Sequence, residues 1–432
     1  MMGPTERKAV VIFGATGFTG EWVVRAAIKK QQQESNFTFA IAGRSIPKLK
    51  DVLNRAKKIN GLEEFDVEII QADVKDEESI RKMCQRGTVL INCVGPYRFY
   101  GEQIVKACIE ANTHYVDISG EPHFLESMQV KYDELAKSRG VYIVSACGFD
   151  SIPSELGIAF VKKEFPGDLN SVETYLTILP GPEGAACHYT TWESAVHGVA
   201  GAHELGPVRK QLYKTRLPRA DHKVDQKNLH FSEEVGGYSI PFPGADRSVA
   251  RRTEYYEFLE QKKRPVQVVS YFNVGSLVNA AKVMFVGAVF MLFAKFEATR
   301  KLLLNYPGFF SAGVFTHEGP TDKQIAGTRF EMKLVGHGYL EKTHSVDEVH
   351  SDLPTQTIVA QVTGPEPGYA ATSAFVLESA FTILQEVEQP RPKIPRHGVL
   401  TPGYAFQNTN IYQRLAPYGI KFEVLARPAN SD

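Results

Sequence analysis

Val10-Val-Ile-Phe-Gly-Ala-Thr-Gly-Phe-Thr-Gly20 is the stretch that decides the fold of this chain. A short apolar run meets three glycines, and a segment of helix-forming residues follows at once, which predicts a strand, a tight turn and the start of a helix. In dinucleotide-binding folds the first glycine permits the turn, the second lets the backbone approach a pyrophosphate, and the third lets helix and strand pack closely. The N-terminus of the helix then offers free N–H groups and a positive dipole end to phosphates.

The glycine spacing is G-x-x-G-x-x-G, a variant common among NADP-using relatives of the dinucleotide fold. A glycine triplet alone is a weak signal, but it is a strong one directly behind an apolar strand at the start of a chain. The alternative is a plain strand–helix turn that binds no ligand.

Apolar runs rich in β-formers alternate with amphipathic stretches up to about residue 150, which predicts a parallel sheet covered on both faces. The predicted strands are Ala9–Phe13, Thr38–Ala42, Val67–Gln71, Val89–Asn92, Tyr115–Asp117 and Val141–Ser145. The predicted helices are Glu21–Lys30, Pro47–Lys58, Glu77–Gln85, Gly101–Ala111 and Pro122–Arg139.

The pattern changes after residue 150, where strands alternate apolar and polar residues as in a sheet with one buried face. The predicted elements there are the helices Pro153–Phe165 and Ala371–Val387 and the strands Ser171–Leu179, Thr328–Tyr339, Thr355–Val362 and Lys421–Leu425. Residues 181–260 are rich in Gly, His, Pro and charge and cannot be assigned. The fold class is therefore α/β, with an N-terminal Rossmann domain (a parallel, doubly wound sheet) and a second α+β domain with a mixed or antiparallel sheet. We expect three parts, 1–150, 151–370 and 371–432, of which the last returns to the first.

Composition narrows the function classes. The 49 basic and 49 acidic residues balance, and no basic tract interleaved with aromatic residues occurs, so we expect no nucleic-acid partner. Five scattered cysteines without a C-x-x-C pair, and dispersed histidines, predict neither a disulfide framework nor a metal site. A reducing compartment is favoured. The first strand begins too early for a signal peptide to precede it, so secretion is not expected.

The end of the second strand indicates which dinucleotide binds. It reads Ala42-Gly-Arg-Ser45 and has no carboxylate for a ribose 2′-hydroxyl. The guanidinium of Arg44 can bind a 2′-phosphate through two hydrogen bonds, so NADP(H) is predicted over NAD(H). A solvated loop residue is the alternative for Arg44. Asp73 could approach the adenine edge, or it could be a plain helix N-cap.

The end of the fourth strand, Asn92-Cys-Val-Gly-Pro-Tyr97, should lie under the nicotinamide ribose, because ligands bind beyond the carboxyl ends of parallel strands. Gly95 would permit close approach. Cys93 lies inside an apolar strand with no His near it in sequence, which favours a buried core thiol over a nucleophile. The residues expected to hold the cofactor are Gly14, Ala15, Thr16, Gly17, Phe18, Thr19, Gly20, Arg44, Ser45, Asp73, Val94 and Gly95.

Candidates for proton transfer are few. Tyr97 is the predicted catalytic residue, as a proton donor, or else it stacks on the pocket wall. Asp117 and Glu121 could bind a cationic group, but capping of the helix that starts at Pro122 is the favoured role. Asp150 is likewise expected to be an N-cap.

Two further features concern the second domain. His188 and His197 flank Trp192 in a region that could line the cleft, although a lone histidine is more often structural or at the surface. The catalytic Tyr-x-x-x-Lys pair of the short-chain dehydrogenases is missing after the fourth strand, which disfavours that mechanism.

Several segments together resemble the saccharopine dehydrogenase family, most nearly its animal oxidoreductase-like branch. Besides the glycine turn they are Asn92-Cys-Val-Gly-Pro-Tyr-Arg-Phe-Tyr-Gly101, Asp117-Ile-Ser-Gly-Glu-Pro122, Gly148-Phe-Asp-Ser-Ile-Pro-Ser154, Tyr238-Ser-Ile-Pro-Phe242 and Leu400-Thr-Pro-Gly403. The resemblance implies a Rossmann domain with a second α/β domain inserted before a C-terminal segment that returns to the first. It implies an association with lipid droplets, as in animal relatives, and bacterial proteins of similar pattern resemble enoyl reductases that act on lipid precursors. No set of Arg and Lys residues for aminoadipate or lysine can be placed in the second domain.

The segment Val274–Phe296 is the second landmark, VGSLVNAAKVMFVGAVFMLFAKF. A spanning helix needs about 20 apolar residues, and Lys282 would cost roughly 3 kcal/mol at the bilayer centre. A helix or hairpin in a lipid surface avoids that cost. We therefore expect residues 274–310 to contact a lipid droplet or membrane surface on its cytoplasmic face. A buried helix or a homodimer contact is the main alternative, and a true span the least favoured.

The sequence thus predicts an NADP(H)-dependent oxidoreductase on a lipid surface that acts on a lipid-linked or amino-acid-derived carbonyl, imine or enoyl group. One alternative is a non-catalytic NADP(H)-binding sensor or scaffold on lipid droplets. Another is a saccharopine dehydrogenase of lysine metabolism.

Overall fold

The structure is a computed structural model that describes residues 7–343, 345 and 348–429. Its first part alternates strands and helices without interruption. In chain order these are β1 (Lys8–Phe13), α1 (Phe18–Gln33), β2 (Phe39–Gly43), α2 (Ile46–Ile59), β3 (Glu68–Gln71), α3 (Glu77–Cys84), β4 (Gly87–Asn92), α4 (Tyr97–Glu110), β5 (His114–Asp117), α5 (Pro122–Ser138), β6 (Tyr142–Val144) and α6 (Ile152–Glu164).

The remaining elements are more varied. They are β7 (Asp168–Leu179), β8 (Cys187–His188), α7 (Tyr189–Ala200), α8 (Leu205–Leu212), β9 (His230–Ser232), β10 (Gly237–Pro241), α9 (Asp246–Gln261), β11 (Gln267–Gly275), α10 (Leu277–Lys295), α11 (Glu297–Asn305), α12 (Pro307–Phe310), β12 (Phe315–Thr316), α13 (Asp322–Gly327), β13 (Arg329–Tyr339), β14 (Gln356–Pro365), α14 (Thr372–Val387), β15 (Gly398–Leu400), α15 (Pro402–Phe406), α16 (Ile411–Leu415) and β16 (Lys421–Ala426). Short 3₁₀ turns span Ala202–Glu204 and Ala416–Tyr418, and a π turn spans Pro367–Ala371.

The first sheet has seven strands in the order β15-β6-β5-β4-β1-β2-β3, and every pair is parallel. All five residues of β2, Phe-Ala-Ile-Ala-Gly, are buried, as expected for a strand covered on both faces. The chain runs from β1 outward to β3 and then returns to β4 on the other side of β1. The order therefore reverses between β1 and β4, and the crevice beyond their carboxyl ends is where such sheets bind ligands.

The second sheet is mixed, with the order β16-β14-β13-β7-β11-β10-β9. Only β7 and β11 pair in parallel, and the other neighbours are antiparallel. Its strands alternate as half-buried strands should: in β14 Ile358, Ala360 and Val362 are buried while the residues between them are partly exposed. A parallel first sheet and a mixed second sheet confirm the predicted fold class.

Several features of the fold were not assigned from the sequence, among them β11, an interior strand of the second sheet. The unassigned region 181–260 contains β8, α7, α8, β9, β10 and most of α9. β15, from residues 398–400, adds to the edge of the first sheet by pairing with β6. A three-residue strand is too short to show an alternating pattern, so periodicity could not reveal it.

Candidate functional site

The glycine turn joins β1 to α1 in a form that only glycine accommodates at two positions. Gly14 has a φ of +83°, and a Cβ there would lie 2.8 Å from Val94 Cγ2. A Cβ on Gly20 would lie 2.1 Å from the Gly14 carbonyl oxygen. Gly17 is the N-cap of α1 and makes no side-chain capping bond. The turn therefore brings bare backbone and the uncapped N-terminus of a sixteen-residue helix to the crevice, a geometry that fits a pyrophosphate.

The other residues of the turn divide into support and surface. Ala15 is fully buried and its N–H donates to the Ala42 carbonyl, which ties the turn to β2. Thr16 is exposed and Thr19 half-buried at the open side of the turn. Phe18 points toward the second domain, where its ring lies 4.6 Å from the Tyr369 ring.

Arg44 follows β2 directly and is exposed, with no hydrogen bond or ion pair to its guanidinium among the described residues. Its carbonyl accepts from the Gln71 amide, which fixes the backbone there. Ser45 is the N-cap of α2, and its hydroxyl accepts from the Lys48 N–H. Lys48, on the first turn of α2, is a second exposed cation that was not predicted from the sequence. An unengaged guanidinium at this edge fits a 2′-phosphate.

Asp73 lies after β3, and its carboxylate accepts from the Lys75 N–H. The N-cap of α3 is Asp76, which accepts from the N–H groups of Glu78 and Ser79. The alternative that Asp73 is a helix N-cap is therefore wrong, because the N-cap position lies three residues later, at Asp76. Its proposed approach to the adenine edge stays a prediction.

Asn92, the last residue of β4, fixes the segment that follows it. Its carboxamide oxygen accepts a hydrogen bond from the Val94 N–H at 3.0 Å, and its amide nitrogen donates to the Tyr115 hydroxyl at 3.1 Å. The segment lies beside the glycine turn, since a Cβ on Gly14 would lie 2.8 Å from Val94 Cγ2 and 3.0 Å from the carbonyl carbon of Cys93. Tyr97 is buried, and its hydroxyl donates to the Asn92 main-chain carbonyl at 2.8 Å. This geometry gives Tyr97 a packing role and does not support the predicted role of proton donor. Burial also raises its pKa well above the ordinary value.

Cys93 belongs to this segment, and Asp117 is the last residue of the neighbouring strand β5. Burial raises the pKa of the Cys93 thiol to about 12, which leaves it protonated and agrees with a core thiol. Asp117 accepts from the N–H groups of Ser119 and Ala146, and burial raises its pKa to about 6. Asp117 therefore ties β5 to the loop after β6 and does not cap α5.

Glu121 caps a different helix from the one expected. Its carboxylate accepts from the N–H of Tyr97 at 2.8 Å and of Arg98 at 3.0 Å, which are the first residues of α4. As the N-cap residue of α5 it makes no side-chain bond. The expectation for α5 was wrong because sequence adjacency favoured the next helix, whereas the parallel sheet brings the end of β5 beside the start of α4.

Asp150 is also not the N-cap of α6, a position that Ser151 occupies. Its carboxylate accepts from the Ala245 N–H at 2.9 Å and shares a hydrogen bond with Asp246, at the start of α9. Burial raises the pKa of Asp150 to about 6 and that of Asp246 well above its ordinary value. The pair therefore connects the loop after β6 to the second domain.

Helix α7 lies beside the segments that follow the strand ends, where the region of His188, Trp192 and His197 was expected to line the cleft. The ring of its N-cap residue His188 stacks on Phe18 of the glycine turn at 5.2 Å. Nearly two turns further, the Ser194 hydroxyl donates to Glu121 at 3.1 Å. Near its C-terminus the His197 carbonyl accepts from the Arg98 guanidinium at 2.6 Å. The helix thus contacts the segments that follow β1, β5 and β4 in turn.

The opposite face of α7 packs on the group of helices α10, α11 and α12, called here the apolar helix group. The Trp192 ring lies 4.8 Å from Phe290 of α10, and its indole N–H donates to the Leu303 carbonyl of α11 at 2.9 Å. The rest of α10 is exposed. Phe285 is 71% exposed, and only 11% of the apolar stretch of this helix is buried. Among the described residues, α10 is the one helix long and apolar enough to cross a membrane. The alternative of a helix buried inside the monomer is therefore wrong.

No group of three or more His, Cys, Asp and Glu side chains within the described ranges could hold a metal ion.

Comparisons with known proteins agree with this geometry. The family model of the saccharopine dehydrogenase NADP-binding domain matches residues 10–144. The chain is 40% identical over 424 residues to the human saccharopine dehydrogenase-like oxidoreductase, covering 96% of this chain and 97% of that protein. It is 38% identical over 424 residues to a Caenorhabditis elegans protein named lipid droplet localized protein, covering 97% and 98%. A probable mitochondrial saccharopine dehydrogenase-like oxidoreductase of Arabidopsis thaliana is 34% identical over 460 residues, covering 99% of each chain.

Among solved structures, the apo saccharopine dehydrogenase (L-Glu forming) of Saccharomyces cerevisiae superposes with a TM-score of 0.55 at 14% identity. The superposition covers 97% of this chain and 100% of that chain. At this identity the likeness shows a shared fold.

Proposed function

This chain belongs to the saccharopine dehydrogenase-like oxidoreductase family, and from that premise we propose that it is an NADP(H)-dependent oxidoreductase that works at a lipid surface. The family recognised from the sequence motifs and NADP(H) as the cofactor are both confirmed. The substrate class we propose is a lipid-linked carbonyl, imine or enoyl group.

The observation that carries the proposal is the unengaged Arg44 beside the glycine turn. Bare N–H groups at the start of α1 would hold the pyrophosphate, and Arg44 with Lys48 would hold the 2′-phosphate. The backbone of Val94 and Gly95 would support the nicotinamide ribose. When bound, the cofactor supplies or accepts a hydride, while the chain binds it, orients it and excludes water.

The apolar helix group supports the lipid surface. α10 exposes apolar side chains on nearly all sides, and Lys282 and Lys295 lie at positions where their ammonium groups can reach a headgroup layer. The name of the C. elegans relative agrees with a lipid droplet, and we propose its cytoplasmic face as the site of this chain. A second copy of the chain is the alternative partner for this surface.

A non-catalytic NADP(H)-binding protein on lipid droplets is a second candidate. The burial of Tyr97 favours it, because the hydroxyl of the predicted proton donor is already engaged by the Asn92 main-chain carbonyl. It predicts tight cofactor binding without turnover on any substrate.

Two measurements test the proposal. The first titrates the protein with NADPH and NADH, followed by nicotinamide fluorescence, and then screens NADPH oxidation on long-chain aldehydes, ketones and enoyl lipids. Tight NADPH binding with turnover supports the oxidoreductase, binding without turnover supports the second candidate, and no binding of either dinucleotide contradicts both.

The second measurement is flotation with phosphatidylcholine vesicles and with triacylglycerol droplets coated by the same lipid. We expect the double variant Phe285→Asp with Leu292→Asp to lose flotation and keep its melting temperature, because both side chains are exposed. Leu353→Asp is the matched control, since Leu353 is 69% exposed but lies outside the apolar helix group. Equal flotation of all three proteins would contradict the lipid surface.

A further inference from the structure

One helix separates the cofactor crevice from the lipid-facing surface. The inner face of α7 contacts Glu121 and Arg98 at the strand ends, and its outer face contacts Phe290 and Leu303 of the apolar helix group. An α-helix with its side chains is about 10 Å thick. The reacting end of the crevice therefore lies about one helix diameter from the surface that we place in lipid, a distance that the head group of a lipid can bridge.

Between its inner and outer faces, α7 carries two polar groups that are bonded to each other: Tyr189 packs against the Trp192 cluster and shares a side-chain hydrogen bond with Glu193. Tyr189 and Glu193, one turn apart, are half-buried, and the Tyr189 ring lies 4.3 Å from the ring of His317, which is exposed. Burial and the nearby Glu121 raise the pKa of Glu193. These groups can donate and accept hydrogen bonds at the edge of the crevice.

The charges on this face exclude a polyanionic ligand. Glu121 and Glu193 contribute carboxylates. The cation Arg98 is already bound to Glu204 at 2.7 Å and to the His197 carbonyl. A substrate with several carboxylates, such as saccharopine, would meet these acids while Arg98 is already engaged. A neutral head group with hydroxyl or carbonyl oxygens meets hydrogen-bonding partners instead.

We propose that the crevice takes an amphiphile from the lipid surface, with its chain beside the apolar helix group and its neutral head group against Tyr189, Glu193 and His317. The inference rests on the proposed function and deepens it by naming the substrate class and the route of entry. Short water-soluble carbonyl compounds and polycarboxylates would be poor ligands of the same crevice.

Photocrosslinking tests the route directly. The full chain is bound to phosphatidylcholine vesicles that contain a long-chain monoacylglycerol with a diazirine either on its glycerol or at the end of its chain, and labelled peptides are mapped by mass spectrometry. We expect the glycerol probe to label residues 189–197 and His317, and the chain probe to label residues 277–295. Glu193→Gln should reduce labelling by the glycerol probe several-fold. Glu297→Gln should leave it unchanged, because Glu297 lies exposed on α11, away from the crevice.

The outcomes separate this inference from the proposed function. Labelling of residues 277–295 by both probes, with none on α7, would overturn the route while leaving lipid binding intact. Equal labelling of α7 by a short-chain, water-soluble glycerol probe would overturn the requirement for an amphiphile. NADPH binding is measured in the same samples by nicotinamide fluorescence. Its absence with the expected labelling would count against the proposed function and leave the route standing.

Discussion

Gly20→Ala is the most direct test of the close packing in the glycine turn. The added Cβ would lie 2.1 Å from the Gly14 carbonyl oxygen and 3.0 Å from Ala15 Cα. Both atoms belong to the backbone, so neither can rotate away, and α1 must move by about 1 Å to reach an ordinary contact. Overpacking of this kind costs about 1–3 kcal/mol. For 432 residues, at an unfolding entropy of about 2.1 cal/mol/K per residue, that lowers the melting temperature by about 1–3 °C.

The same displacement moves the free N–H groups of α1 away from the phosphates. We therefore expect NADPH affinity to fall by more than about tenfold, which corresponds to about 1.4 kcal/mol. The assays are thermal melting of the free protein and a nicotinamide fluorescence titration.

Gly206→Ala in α8 is the matched control for this test. No atom lies within 4 Å of the added Cβ there, and alanine favours a helix by about 1 kcal/mol. If Gly20→Ala melted and bound NADPH like Gly206→Ala, the close approach of α1 to β1 would not govern the site, and the reasoning would be refuted.

Three further predictions follow from single contacts. Arg44→Ala should weaken NADPH binding by about 30-fold, because it removes about 2 kcal/mol of charge-assisted hydrogen bonding, and it should leave NADH binding unchanged. The control Arg219→Ala removes an exposed arginine elsewhere and should change neither titration. Asp246→Asn should stabilise the fold by about 1–3 kcal/mol at pH 8 but not at pH 4, as measured by thermal melting. The pKa values of Asp150 and Asp246 are raised in the folded protein, so the wild-type protein loses stability as the pH rises from about 4 through about 6 and beyond. Tyr97→Phe should cost about 1 kcal/mol in chemical denaturation and leave NADPH affinity and turnover unchanged, whereas a large loss of turnover at full affinity would restore its role as a proton donor.

Local patterns carried most of the fold, because most of the predicted elements are long enough to show their period. The predicted limits of β1, α2 and β13 fall within one residue of the observed ones. The helix α4 begins at Tyr97, four residues before its predicted start at Gly101. Pro96 and the aromatic run after it concealed that start, since the N-terminal capping group is Glu121, which is distant in sequence.

The site was predictable where one segment builds it and not where several segments meet. The glycine turn and Arg44 are local features, so their place at the crevice could be read from their spacing. The carboxylates were assigned to the wrong partners because Glu121 and Asp150 each bond across elements that only the folded sheet brings together. The region of His188 and Trp192 was expected to line the cleft, but the helix α7 itself and its bonds to Glu121 and Arg98 were not predicted, since that region has no recognisable period.

The two sheets are not independent modules, and this shapes how the crevice is built. One continuous hydrophobic cluster contains Val10 and Ile12 of β1 together with Leu334 of β13 and Val362 of β14. α6 follows β6 out of the first sheet and packs on β13 and β14, while α14 leads back toward β15 and packs on α1, β4 and β5. The chain between these two helices is thus fixed at both ends to the sheet that binds the cofactor. Because α7 and the apolar helix group lie within that stretch, a lipid surface that holds α10 also fixes the orientation of the crevice toward the lipid.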